Sequence, residues 1–277
     1  MTTQALKFPS FFVTAPQPCP YLPDREERKV FTELKGEEAA ALHDALSKVG
    51  FRRSQNVAYR PACEGCGACV SVRVLTQEFR PTRRMRRIVR RNRDLVARAR
   101  GNEVSEEQHA LLTRYLAARH AEGGMLGMSF GEYREMVQNS PIATTLIEYR
   151  RPRRPEGQAA ASMNDGSREG TAAEQAEQNG EDDGELLAVA LTDWMEDGLS
   201  MVYSFFAPEE PRRSLGTFMI LDHIARTRAF GLPYLYLGYW IEESPKMAYK
   251  AHFRPFEILT GHEWRRVEGP TGEEKFG

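Results

Sequence analysis

What most constrains the fold of this chain is a segment without the means to build one. From Arg151 to Glu185 the sequence RPRRPEGQAAASMNDGSREGTAAEQAEQNGEDDGE has no aromatic residue, Thr171 as its one β-branched side chain and Met163 as its one large apolar one. Nine acidic and four basic side chains fill it instead, and such a composition buries too little apolar surface to offset the entropy of ordering a backbone. It reads as a disordered acidic insertion over 151–185. It divides the chain into an N-terminal region, 1–150, and a C-terminal region, 186–277, small enough that it is expected to pack on the first. Elsewhere core formers are ample, since 41% of the 277 residues are hydrophobic and 10% aromatic.

Residue periodicity gives a mixed pattern of the α/β or α+β class. Strands are predicted at Lys29–Leu34, Val70–Thr76, Ile142–Tyr149, Tyr234–Leu237, near Glu257–Leu259 and at Glu263–Val267. A hairpin is expected from Leu186–Trp194 and Leu199–Phe206, turned at Glu196-Asp197-Gly198. Helices are predicted over Gly36–Val49, Arg83–Arg100 and Ser214–Phe230, with a short one opening at Ser244-Pro245, and Ser105 to Gln108 has the form of a capping box. No apolar run approaches the ~18 residues of a membrane-spanning helix; the longest clean one is Leu186–Leu191. Met1–Phe8 lacks the pattern of a secretory signal. A cytoplasmic protein that engages no membrane is expected.

Three constellations carry chemistry. Cys63, Cys66 and Cys69 stand at i, i+3 and i+6 around two glycines, and Cys19 is the one further thiol. The set suits a structural zinc ion or an iron–sulphur cluster, against unligated thiols in a tight turn. Formal net charge is only -1, but the balance hides a basic block. Between Arg80 and Arg100 ten arginines face one acid, Asp94. Guanidinium forks in that density suit phosphate oxygens and point to nucleic acid. The third is Leu232–Pro255, where Tyr234, Tyr236, Tyr239, Trp240 and Tyr249 interleave with Lys246, Lys250 and Arg254; aromatics beside cations can stack a base and grip its phosphates. Gly127-Met128-Ser129-Phe130-Gly131 matches the nucleophile elbow of hydrolases but follows no apolar strand, so Ser129 is expected to cap a helix through Glu132 instead.

Several separated blocks then occur in an order that resembles the bacterial leucyltransferases of the arginyl-tRNA–protein transferase family. They are Cys19-Pro20-Tyr21-Leu22 with Glu27-Arg28; Gly50-Phe51-Arg52-Arg53-Ser54 with Tyr59-Arg60-Pro61 and the cysteine loop; Ser214-Leu215-Gly216; Tyr236-Leu237-Gly238-Tyr239-Trp240-Ile241; and Lys246-Met247-Ala248-Tyr249-Lys250. The resemblance implies an acetyltransferase-like (GNAT) fold in the C-terminal half beside a smaller N-terminal domain carrying the cysteine loop. It also implies transfer of leucine from leucyl-tRNA to the N-terminal amine of proteins beginning with Asp or Glu, marking them for degradation.

On that reading Arg52, Arg53 and Arg73 would recognise the acidic side chain of the acceptor. Arg83, Arg84, Arg87, Arg90, Arg91 and Arg213 would hold the tRNA. Tyr239, Lys246, Tyr249 and Lys250 would form the aminoacyl-adenosine and oxyanion region. No cofactor is required for the transfer; zinc or an iron–sulphur cluster on Cys19, Cys63, Cys66 and Cys69 would be structural. Alternatives are arginyl transfer from arginyl-tRNA, an acetyltransferase using the partial Arg213-x-x-Gly216 pyrophosphate loop, and a non-enzymatic, metal-stabilised RNA-binding protein.

Overall fold

The computed structural model describes residues 9–119, 125–153 and 184–267. The first sheet is built from β1 (Phe12–Val13), β4 (Lys29–Glu33), β5 (Arg52–Ser54) and β6 (Val57–Pro61), in the order β1-β4-β6-β5, with β2 (Gln17–Pro18) and β3 (Glu26–Glu27) paired separately. Helix α1 (Ala39–Lys48) packs on it through Ala39 and Leu46, closing a small core with Leu34, Phe51, Ala58 and Ile142.

The chain continues through β7 (Val70–Leu75), α2 (Arg83–Arg91), β8 (Val96–Ala99), α3 (Glu106–Arg119), α4 (Phe130–Gln138), β9 (Thr144–Arg151), β10 (Glu185–Met195), β11 (Gly198–Phe206), α5 (Leu215–Ala229), β12 (Tyr234–Trp240), β13 (Phe256–Thr260) and β14 (Glu263–Val267). Its strands form one eight-stranded sheet in the order β14-β13-β7-β12-β11-β10-β9-β8. Three of them end at or before residue 151 and five follow residue 184, so the two stretches flanking the insertion share one sheet. The insertion divides the chain and not the sheet. Its flanks are antiparallel partners, Arg151 opposite Glu185. The disorder expected over 151–185 is corrected at its ends, where Arg151 and Glu185 lie in β9 and β10 because they pair with each other; residues 154–183 of that span lie outside the described residues.

The interior strand β10 shows why this sheet needs helices on both faces. Leu187, Val189 and Leu191 pack among Leu111, Leu112 and Leu116 of α3 and Tyr133, Met136 and Val137 of α4, whereas Ala188 and Ala190 join the cluster of α5 and α2. Large residues on one face and alanines on the other are the period-2 pattern of a strand, and the alanines let α5 approach closely. Each fully buried leucine or valine contributes about 1.5–3 kcal/mol. Both capping boxes form. Ser105 Oγ accepts from Gln108 N at 3.2 Å while Gln108 Oε1 accepts from Ser105 N, and Ser129 caps α4 through Glu132.

The fold is mixed α/β. The crossover β11–α5–β12 joins the one parallel strand pair among the described residues. Helix prediction over Arg83–Arg100 is corrected: α2 ends at Asn92, whose buried side chain donates from Nδ2 to Ile88 O at 3.0 Å and Arg213 O at 2.9 Å. Past it, Val96–Ala99 pairs with β9 and Ala97 packs on the core, and the ladder prevails over the arginine spacing. The helix expected from Ser244 is a 3₁₀ turn over Ala248–His252.

Candidate active site

Parallel pairing of β11 with β12 covers only Gly198–Ser200 against Tyr234–Tyr236. Just beyond, each strand carries an extra residue: Val202 is passed over where β11 pairs with β10, and Leu237 where β12 pairs with β7. Bulges bend the strands that carry them, so the pair splays at its carboxyl ends, where parallel sheets open toward ligands.

Arg52, from the first sheet, enters that wedge. Its Nη2 donates to Met201 O of β11 at 2.9 Å. Its guanidinium lies so near Gly238 of β12 that a Cβ built there would stand 2.7 Å from Cζ. Gly238 also has φ +82°, a conformation few side chains tolerate, so the backbone favours glycine there and a side chain would have to displace the guanidinium. Among the described residues Arg52 Nη1, fully buried, has no hydrogen-bond partner. A buried charged donor left open in this way is costly, and a carboxylate entering the wedge would complete it.

Two of the residues expected at the aminoacyl site meet Arg52 here. Lys250, 9% exposed, donates from Nζ to Tyr239 O at 2.5 Å. Burial, and secondarily the charge of Arg52, pull its amine down to about 7. Tyr249, 42% exposed, places its ring 6.0 Å from Lys250 Nζ. Tyr239 serves the framework instead. Its hydroxyl lies 2.8 Å from Gly50 O and 3.1 Å from Tyr59 O, tying β12 to the first sheet, and burial raises its pKa above the ordinary phenol value. Lys246 lies in an exposed turn.

Of the other two arginines expected to read an acid, each is engaged by a carboxylate of this chain. Arg53 donates from Nε and Nη2 to Asp193, 2.6 Å each, with Thr144 and His43 around the pair. Arg73 donates to Glu257 at 2.7 Å and to the Tyr236 hydroxyl, and its guanidinium lies 3.5 Å from the Tyr234 ring centroid and 4.2 Å from that of Trp264. Arg53 therefore anchors β5, and with it Arg52, to β10.

The arginine helix keeps its basic face free of the core. Thr82 caps it, and Met85 and Ile88 are its buried residues. Arg83, Arg84, Arg87 and Arg90 are exposed, and Arg83, Arg87, Arg90, Arg91 and Arg93 line a hollow of about 510 Å³. Arg91 is partly engaged, donating to Arg212 O. Arg213 is bound bidentately to Asp94, 2.8 Å on each arm, and locks α5 to the end of α2.

The four cysteines are neighbours: burial and the nearby Cys63, Cys19 and Cys66 push the Cys69 thiol up to about 11. Yet among the described residues no three Cys, His, Asp or Glu side chains are arranged to hold a metal ion. Cys63 Sγ instead accepts from Arg28 N at 3.4 Å. The donor set as folded is not a ligand cage.

Sequence reasoning missed Gly238 and the wedge. The available signal was an isolated glycine inside a strand pattern, which marks a bulge or a close backbone approach.

With the geometry in place, comparison gives the family. A family model described as "Arginine-tRNA-protein transferase, N terminus" matches residues 17–87 and one described as "Arginine-tRNA-protein transferase, C terminus" matches residues 107–260. The chain is similar to the aspartate/glutamate leucyltransferase of Parvibaculum lavamentivorans (53% identity, covering 96% of this chain and 98% of that one). It is likewise similar to that of Brucella ovis (52%, covering 97% and 100%). Among solved structures it is similar to FemX at 10% identity and a TM-score of 0.45, over 84% of this chain and 69% of that one.

Proposed function

The chain belongs to the arginine-tRNA-protein transferase family, and from that premise we infer that it transfers leucine from leucyl-tRNA to the N-terminal amine of proteins beginning with Asp or Glu, marking them for degradation. Relatives matched over nearly their whole length carry the name aspartate/glutamate leucyltransferase, which supports leucine rather than arginine as the donor. Among the described residues no helix is long and apolar enough to cross a membrane. A cytoplasmic setting suits an enzyme that draws on charged tRNA.

An aminoacyl ester is already activated. The enzyme must position the ester, admit an uncharged amine and stabilise the oxyanion that develops on the carbonyl. The observation that carries the assignment of the site is the buried, unpartnered Nη1 of Arg52 in the wedge between β11 and β12. The side-chain carboxylate of an acceptor's first residue would take that donor, holding its α-amine one side chain's length away. Arg53 serves as the anchor of Arg52 rather than as a second reader, because its charge is answered by Asp193. Tyr249, half-exposed beside Lys250, is placed to stack the terminal adenine. The free guanidinium groups of α2 would take tRNA phosphates, and Arg213 keeps that helix in register with α5.

The test is direct. Protein is mixed with labelled leucyl-tRNA or arginyl-tRNA and peptides differing only in an N-terminal Glu, Asp or Ala. Leucine on the Glu and Asp peptides alone is expected. Arginine there would change the donor, and no transfer from either tRNA would refute the reading.

A further inference from the structure

Aminoacyl transfer to an amine leaves a proton to be moved. As the nitrogen attacks, the N–C bond forms and the nitrogen must lose a proton. As the ester C–O bond breaks, the ribose oxygen must gain one. We propose that the Nζ of Lys250 takes the proton from the attacking nitrogen and returns it to the departing ribose oxygen. The inference rests on the leucyl-transfer reading and deepens it. The proton balance closes within the site: the acceptor arrives as a free amine, Lys250 passes from amine to ammonium and back, and an ester and an amine become an amide and an alcohol.

Position singles out this side chain. Its bond to Tyr239 O sets the amine on β12 one residue past Gly238, against which Arg52 lies. An acid held by Arg52 would therefore bring its α-nitrogen to the same end of the wedge. Lys250 as a residue is only 9% exposed, which limits the access of bulk water to the proton. As a neutral amine it keeps two N–H groups, one for the carbonyl of Tyr239, and a lone pair.

The buried titratable groups that could otherwise serve are committed elsewhere. The Tyr239 hydroxyl is held by two backbone carbonyls. His43 sits beside Asp193, and His223 is bonded to Thr192 and Met219 O. In the lysine's own turn Tyr249 and His252 are exposed. Facing it from β5 is Arg52, its one charged neighbour among the described residues. Burial and that cation hold the amine near neutrality, where a general base works best at physiological pH.

The experiment measures single-turnover transfer from preformed leucyl-tRNA to an N-terminal Glu peptide by the wild-type protein, Lys250→Met and Lys250→Arg, with leucyl-tRNA binding measured beside it. At leucyl-tRNA concentrations that saturate each protein, both variants should transfer about 100-fold more slowly, the usual size of a general-base contribution. Arginine keeps the charge but cannot release its proton, so it should not rescue. Transfer within about threefold of wild type by either variant overturns the proposal. Should the variants fail to fold, wild-type protein labelled at lysine Cε decides by NMR. One lysine should titrate near neutral pH, and a protein whose lysines all stay charged to about pH 9 overturns the proposal. A wild type that moves no leucine at all fails the underlying reading, which is a separate outcome.

Discussion

At the scale of single residues, function here depends on side chains that are answered and one that is not. Gly238 is the position where the smallest change should tell most. Gly238→Ala adds a Cβ 2.7 Å from Arg52 Cζ at φ +82°. The backbone conformation alone should cost about 1–2 kcal/mol, and the guanidinium, at the end of a flexible side chain, should be pushed from the wedge. Acceptor selectivity should therefore fall although no charge is altered; kcat/KM for Asp against Asn peptides checks this. Two histidines set a pH limit on stability. Burial pulls His43 and His223 down to about 4. Between about 4 and the ordinary 6.5 the unfolded chain binds protons that the folded one refuses, so stability is full above about 6.5 and is lost as pH falls toward 4. Thermal midpoints measured across that window should drop, and a flat profile would contradict the burial of both rings.

Among elements, β5 is pivotal because it carries Arg52 toward the wedge and Arg53 toward Asp193. Arg53→Ala strands the fully buried Asp193 carboxylate, and breaking such a pair from one side should cost about 3–5 kcal/mol. Chemical denaturation reads that loss; a fall under about 1 kcal/mol would remove the anchor role. Elements with a strong period were legible from sequence. The hairpin β10–β11, the helix α5, the strand β7 and both capping boxes follow from apolar spacing and cap chemistry. Strands β5, β6 and β8 were not, since Arg52–Ser54 has no alternation and Val96–Ala99 sits inside an arginine-rich stretch with helical spacing. In both, tertiary pairing determines the state. The site was half legible. Arg52, Tyr249 and Lys250 could be picked out as residue types in suggestive company, but which arginine stays open depends on Asp193, Glu257 and Asp94, each distant in sequence from the arginine it answers.

For the whole molecule, one sheet shared across the insertion places the arginine helix and the wedge that holds Arg52 on a single framework, and the roles proposed for them should separate. Replacing Arg84, Arg87 and Arg90 together with Gln should weaken tRNA binding and make its salt dependence shallower by about 0.7–0.9 in log–log slope for each phosphate no longer neutralised. Preference among acceptor peptides should not change. A salt slope that did not move would place the tRNA elsewhere. The central claim is that Arg52, open in the wedge, reads the acceptor's acid. The most direct measurement is kcat/KM for leucyl transfer to peptides beginning with Asp or Asn, by wild type and by Arg52→Gln. The wild type should favour Asp, and the variant should lose about 10- to 150-fold of that preference, the equivalent of one charge-assisted hydrogen bond at ~1.5–3 kcal/mol. An Asp preference left intact in Arg52→Gln would contradict the account.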